Sequence, residues 1–200
     1  EQDFYLTIAQ TSVEEFKDKG SRLIAYAFPL QSKDAVKKIL LELKKEHVKA
    51  VHHCFAYRIG IDGNNFRVSD DGEPSKTAGM PMLEVLNHHD LDNILVVVTR
   101  YFGGIKLGSG GLIRAYAKSV SNLIEQSEIE EVVIKKELEL TCNQSNITYL
   151  KRLFEDNKIE VISSEFAYKV IYKVLVPEVD VDKFINLINS YDHSIIIKNK

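Results

Sequence analysis

Beyond residue 131 the spacing of apolar residues switches repeatedly between two periods, and that switching limits the architecture more than composition does. Leu138, Leu140 and Cys142 alternate with Glu137, Glu139 and Thr141, the two-residue period of a half-buried strand. Ile147, Leu150 and Phe154 then fall on one helical face. Two strands follow at residues 158–163 and 168–176, then a helix carrying Val181, Phe184, Ile185 and Ile188, and a last strand at 194–197. The order β-α-β-β-α-β is that of a ferredoxin-like domain, a fold that hosts many functions and specifies none.

Ahead of it, residues 4–9 and 22–28 read as an antiparallel strand pair joined through a charged turn over 13–20. Ser32 is the expected N-cap of a helix whose Val36, Ile39, Leu40 and Leu43 share one face. Residues 51–59 and 65–68 flank Asp62-Gly63-Asn64 as a hairpin. A helix over 78–86, a buried strand over 91–99 and a helix from Leu112 complete this part. The acidic run at residues 128–131 marks the boundary, so the chain is expected to form two domains, 1–130 and 131–200, of α+β class.

A chain of 200 residues with 44% hydrophobic and 28% charged residues has enough apolar material for a core without disulfides. Its formal charge of −3 gives no global attraction to nucleic acid or anionic membrane. Cys54 and Cys142 stand alone, as suits reduced thiols in a cytoplasmic protein. The longest purely apolar run, residues 94–98, is far too short to span a bilayer, and no membrane partner is expected.

Charge is nonetheless segregated locally. Between Asp92 and Glu125 there is no acidic residue, while Arg100, Lys106, Arg114 and Lys118 all lie there. Within that stretch Tyr101, Phe102, Gly103, Gly104, Lys106, Gly108, Ser109, Gly110 and Gly111 join a buried strand to a helix. Glycines let backbone amides approach an anion at a helix N-terminus, and phosphate is the natural guest. Equally, they serve tight turns and close packing. The nucleotide motifs fail: Gly103 to Gly108 lacks the Lys that follows a phosphate-binding loop, and Ile113 stands where the dinucleotide fingerprint needs a small residue. Ser109 has no sequence-placed base and is read as a capping or phosphate-contacting hydroxyl.

Asp70, Asp71, Glu73, Ser75, Lys76 and Thr77 form a second candidate segment. Its carboxylates suit either a hard cation or a polar turn that starts a helix. In the strand carrying His52, His53 and Cys54, the first and third share a face, so His52 is the candidate groove residue. No cofactor and no metal are expected.

Residues 69–75, 77–81 and 99–116, together with 21–26 and 52–60, closely resemble the IMPACT/YigZ family; the second domain resembles its bacterial branch. The resemblance implies a first domain like domain IV of elongation factor G, a two-layer α/β fold, and a second like its domain V, both of which face RNA in that factor. Eukaryotic relatives act in translational control beside a different domain, and that pathway is not transferred to this chain. Lys76 departs from the pattern, which has a small residue there, usually Gly. The leading expectation is a non-catalytic protein binding RNA or the ribosome, with Arg100, Lys106, Arg114 and Lys118 on phosphates and Tyr101 or Phe102 available for stacking. The alternatives are a Mg²⁺-dependent nucleotide-binding enzyme, kinase-like or hydrolytic, with Asp70, Asp71 or Glu73 on the metal, and a module that binds a protein partner.

Overall fold

A computed structural model describes residues 3–61 and 63–199; Asp62 of the expected turn lies outside the described residues. The chain divides into two compact units, residues 5–132 and residues 133–199 with 3 and 4.

Strand β1 (Phe4–Ile8) opens the first unit, followed by β2 (Ser12–Asp18), β3 (Ser21–Pro29), α1 (Asp34–Glu46), β4 (His52–Ile59), β5 (Asn65–Ser69), α2 (Gly79–His88), β6 (Ile94–Tyr101), α3 (Gly108–Gln126) and β7 (Ile129–Val133). Five of the strands form a sheet in the order β2-β3-β6-β4-β5, antiparallel throughout. Side chains alternate across it, so one face presents Leu23, Ala25, Ala27, Cys54, Ala56, Val96 and Val98 beneath α2 and α3. The other presents Tyr26, Phe55, Tyr57, Leu95 and Val97 to Val36 and Leu43 of α1. Small residues allow two helices to lie close on the first face, while aromatic rings fill the space beside the single helix on the second. The packing of α2 and α3 on the sheet is thus joined by a third layer, α1.

Several sequence expectations are corrected here. Residues 13–20 are not a turn: β2 pairs with β3, and only Lys19 and Gly20, both at positive φ, turn the chain. Strand β2 contributes one apolar inward residue, Phe16, and carries charge on its open side, so its alternation is faint in the sequence, as on many edge strands. Strand β1 pairs with β7 rather than β3, and the acidic run expected to mark a boundary is itself within β7. Helix α1 begins after Lys33 without a side-chain cap, so Ser32 does not cap it. Helix α3 starts about one turn before Leu112, drawing Gly108, Ser109, Gly110 and Gly111 into the helix.

The second unit comprises β8 (Lys135–Cys142), α4 (Ile147–Asp156), β9 (Glu160–Phe166), β10 (Val170–Pro177), α5 (Val181–Tyr191) and β11 (Ile196–Asn199). The sheet order β11-β8-β10-β9, antiparallel in every pair, is the ferredoxin-like arrangement. Leu138, Leu140, Val174 and Val176 pack against Leu150, Phe154, Phe184 and Ile188 of the two helices. Burying each such side chain contributes about 1.5–3 kcal/mol. Among the described residues no helix is long and apolar enough to cross a membrane.

Candidate functional site

The register of the first unit's sheet places His52 opposite Arg100, on the face that carries α2 and α3. Between β5 and α2 the chain folds over these two residues, and its carboxylates divide their work. Asp70 is consumed by the backbone: one oxygen accepts the N–H groups of Ala78 and Gly79 at the start of α2, at 3.1 and 2.9 Å, and the other accepts that of Lys76 at 2.8 Å. Asp71 accepts the N–H of His53 at 2.7 Å and faces Lys44 at 4.0 Å. Glu73 alone turns inward. Its Oε1 accepts hydrogen bonds from Arg100 Nε at 2.5 Å and from the Tyr116 hydroxyl at 2.7 Å, while Oε2 lies 3.6 Å from His52 Nε2. Thr77 donates to the carbonyl of Pro74 at 2.6 Å and is buried, whereas Ser75 and Lys76 are exposed in the turn. Lys76 adopts a φ of 63°, which accounts for the small residue expected there: the position requires a left-handed backbone.

Glu73 is 8% exposed and Arg100 7%, so the ion pair lies in a low-dielectric floor. Burial works against the charge on Arg100, but its hydrogen bond to Glu73 and the carboxylate charge hold its pKa above the ordinary value. Burial pushes Tyr116 and Cys54 upward, keeping both protonated. The Cys54 thiol lies 3.0 Å from the Asp70 carbonyl and 3.4 Å from the Tyr116 hydroxyl, closing the network from below.

Above this floor opens a cleft of about 480 Å³, walled by Val51, Pro74, Phe102, Leu107 and Leu112 and rimmed by Lys106, Gly108 and Ser109. Helix α3, 19 residues long, begins at this opening with no side-chain cap, so its first amides have no side-chain acceptor. Ser109 is therefore not a cap. Phe102 is 49% exposed, with the Arg100 guanidinium carbon 6.0 Å from its ring centroid.

The glycines divide by role. At Gly103 an added Cβ would meet the Gly20 carbonyl carbon at 1.9 Å, so this glycine is demanded by the close approach of two backbone turns. Gly104 and Gly108 have open space around them but positive φ, 86° and 71°. Gly110 and Gly111 lie in the first turn of α3, one exposed and one buried.

The four cations divide between two openings. Arg100 is committed to Glu73, and Lys106 stands on the cleft rim. Arg114 and Lys118, four residues apart on α3, line a different groove with Phe16, Asp18 and Val85. Tyr101 also departs from expectation: it follows Arg100 in β6, so it faces the opposite side of the sheet, where its hydroxyl bonds His47 Nδ1 at 2.7 Å. Only Phe102 is left for stacking in the cleft. His52 lies at the floor; Tyr116 belongs to the network although its sequence signal was only that of a buried helix position. A tyrosine rather than Leu or Phe on a buried stripe was the available clue, since its hydroxyl needs a partner. Among the described residues no three His, Cys, Asp or Glu side chains gather as metal ligands; His52 and Glu73 offer two donors.

Residues 19–124 match the Impact N-terminal domain, so fold and sequence together place the chain in the IMPACT family. IMPACT family member YvyE of Bacillus subtilis (strain 168) is 38% identical over 168 residues, covering 84% of this chain and 74% of that protein. IMPACT family member YigZ of Escherichia coli (strain K12) is 35% identical over 176 residues, covering 87% of this chain and 85% of its own. A crystal structure of a hypothetical protein superposes with a TM-score of 0.77 at 30% identity, covering 98% of this chain and 97% of that one.

Proposed function

We propose that this protein binds single-stranded RNA without altering it chemically, taking a nucleotide into the cleft at the start of α3, and that ribosomal RNA is the natural source. The observation that carries the reading is the meeting, at one opening, of an uncapped helix N-terminus, the Lys106 ammonium and the exposed Phe102 ring. A helix N-terminus and a lysine attract a phosphate, and an aromatic face accepts a base of any sequence. The contact set is narrower than the charge pattern of the sequence implies: Lys106, Ser109 and Phe102 bind, Arg100 orients the floor, and Arg114 and Lys118 lie elsewhere.

A Mg²⁺-dependent phosphoryl-transfer enzyme has less support, because both oxygens of Asp70 and one of Asp71 already accept backbone hydrogen bonds. The test is filter binding of single-stranded RNA at graded salt, with ribosome sedimentation in parallel. Lys106→Gln should weaken binding to many RNAs alike and lower the salt slope by about one. Phe102→Ala should cost about 1–3 kcal/mol of affinity. Lys118→Gln should change little. Unaltered affinity in both of the first two variants would end the proposal.

A further inference from the structure

We propose that the cleft floor selects guanine among the RNA bases through two adjacent acceptors, Glu73 Oε2 and His52 Nε2, an inference that rests on the RNA-binding reading above. His52 Nδ1 lies 2.7 Å from the Asp71 carbonyl oxygen, an atom that only accepts. Nδ1 therefore carries a hydrogen, which fixes the tautomer in which Nε2 offers a lone pair. On Glu73, Oε1 is occupied by Arg100 and Tyr116, which leaves Oε2 as the carboxylate oxygen open to a further donor. Oε2 and Nε2 stand 3.6 Å apart, too far for a hydrogen bond to each other, and both residues line the cleft.

Two acceptors side by side call for a planar group with two neighbouring N–H donors. Guanine presents N1–H and the 2-amino group along one edge. Adenine and cytosine each place an acceptor beside their donor, and uracil sets its single N–H between two carbonyls, so each would leave acceptor facing acceptor. An arginine side chain of a peptide has the same pair of donors but carries positive charge, and it would enter beside Arg100, Lys106 and the positive end of α3. Guanine is neutral, its phosphate is anionic, and the apolar walls with Phe102 accept its ring faces. The carboxylate makes the Oε2 contact a charge-assisted bond, stronger than a neutral pair.

The test uses fluorescence anisotropy on the full chain with short uridine-rich RNAs that differ at one central position. Guanine there should bind about ten-fold more tightly than adenine, cytosine or uracil. Inosine, which keeps N1–H and lacks the 2-amino group, should fall between. This ligand-side series needs no variant and so is independent of folding. His52→Leu, checked for an unchanged unfolding midpoint, should bring guanine affinity toward that of adenine. Equal affinity for every base would overturn the selection of guanine, and a guanine preference that survives in His52→Leu would overturn its assignment to the Glu73–His52 pair; either result leaves RNA binding standing. No binding by any of the oligomers would overturn both readings.

Discussion

The interiors of the two units treat polar groups in opposite ways. In the second unit the buried side chains are apolar apart from Cys142, Tyr172 and the uncharged amide of Asn146, and ion pairs such as Lys135–Glu160 and Lys136–Glu178 stay at the surface. Exposed pairs of that kind contribute only about 0–1 kcal/mol. The first unit buries Arg100 on Glu73 and Arg58 on Asp92, the latter at 3.0 Å. A buried ion pair gains little net stability over well-packed apolar residues of the same shape, yet it punishes the loss of either partner. The contrast teaches where position matters more than stability: the first unit holds a carboxylate and an imidazole beneath a cleft, and the second keeps its ion pairs at the surface.

Removing Glu73 is the strongest way to break that comparison. Glu73→Ala leaves the Arg100 charge buried without a partner and is expected to destabilise the protein by about 3–5 kcal/mol. Replacing both residues together, Glu73→Leu with Arg100→Met, should restore most of the loss, because no uncompensated charge remains. In the second unit Leu140→Ala should cost about 2–5 kcal/mol by leaving a cavity, and no second substitution across the sheet should restore it in this way. Urea unfolding of the full chain distinguishes the two behaviours. A double variant as unstable as Glu73→Ala alone would mean that shape, not charge, sets the cost at the cleft floor.

Strongly periodic elements were legible in the sequence: the alternating Leu138, Leu140 and Cys142, the helical stripe of Val36 to Leu43, and the whole β-α-β-β-α-β order. Strand β2 was not, because a charged edge strand with Phe16 as its sole inward apolar residue lacks a two-residue hydrophobic signal. The start of α3 was hidden by its glycines, whose low helix propensity is overridden by Leu107, Leu112 and Tyr116 packing into the core. At the site, alternation along a strand correctly separates His52 from His53, and it would have sent Tyr101 away from Arg100 had the strand been read to its observed end. Convergence is a different matter. Four cations within one acid-free stretch look like one patch, but Arg100 and Lys106 line the cleft while Arg114 and Lys118 line a second groove.

A smaller effect sharpens the same contrast. The Tyr116 hydroxyl donates to Glu73 Oε1 at 2.7 Å, so Tyr116→Phe removes one of the two bonds on that oxygen without opening a cavity. The expected loss is about 1–3 kcal/mol, the cost of leaving a buried acceptor less satisfied. Tyr172→Phe in the second unit removes a buried hydroxyl that has no hydrogen-bond partner, and it should be neutral or stabilising. Equal losses in the two variants would show that the hydroxyls are doing the same job in both cores, contrary to the division drawn above.

The smallest expected effect appears in alkali. Burial raises the thiol of Cys54 above its ordinary value, so the folded chain keeps a proton that the unfolded chain releases near pH 8.5. The stability tied to this proton is therefore fully present below about pH 8.5 and is lost as the pH rises. By about pH 9.5 the loss should reach roughly 1.4 kcal/mol. Cys142 is raised as well, again chiefly by burial, with the Lys169 charge offsetting part of the rise and Asp192 adding to it; at Cys54 the Tyr116 hydrogen bond offsets part of the larger burial effect, and Glu73, Asp71 and Asp70 add to it. Comparing the slope of stability between about pH 8 and 10 in Cys54→Ala and Cys142→Ala isolates each thiol, since a cavity lowers the whole curve without tilting it. Cys54→Ala should flatten the curve more. A larger flattening from Cys142→Ala would place the more protected thiol beneath the second unit's helices rather than beneath the cleft.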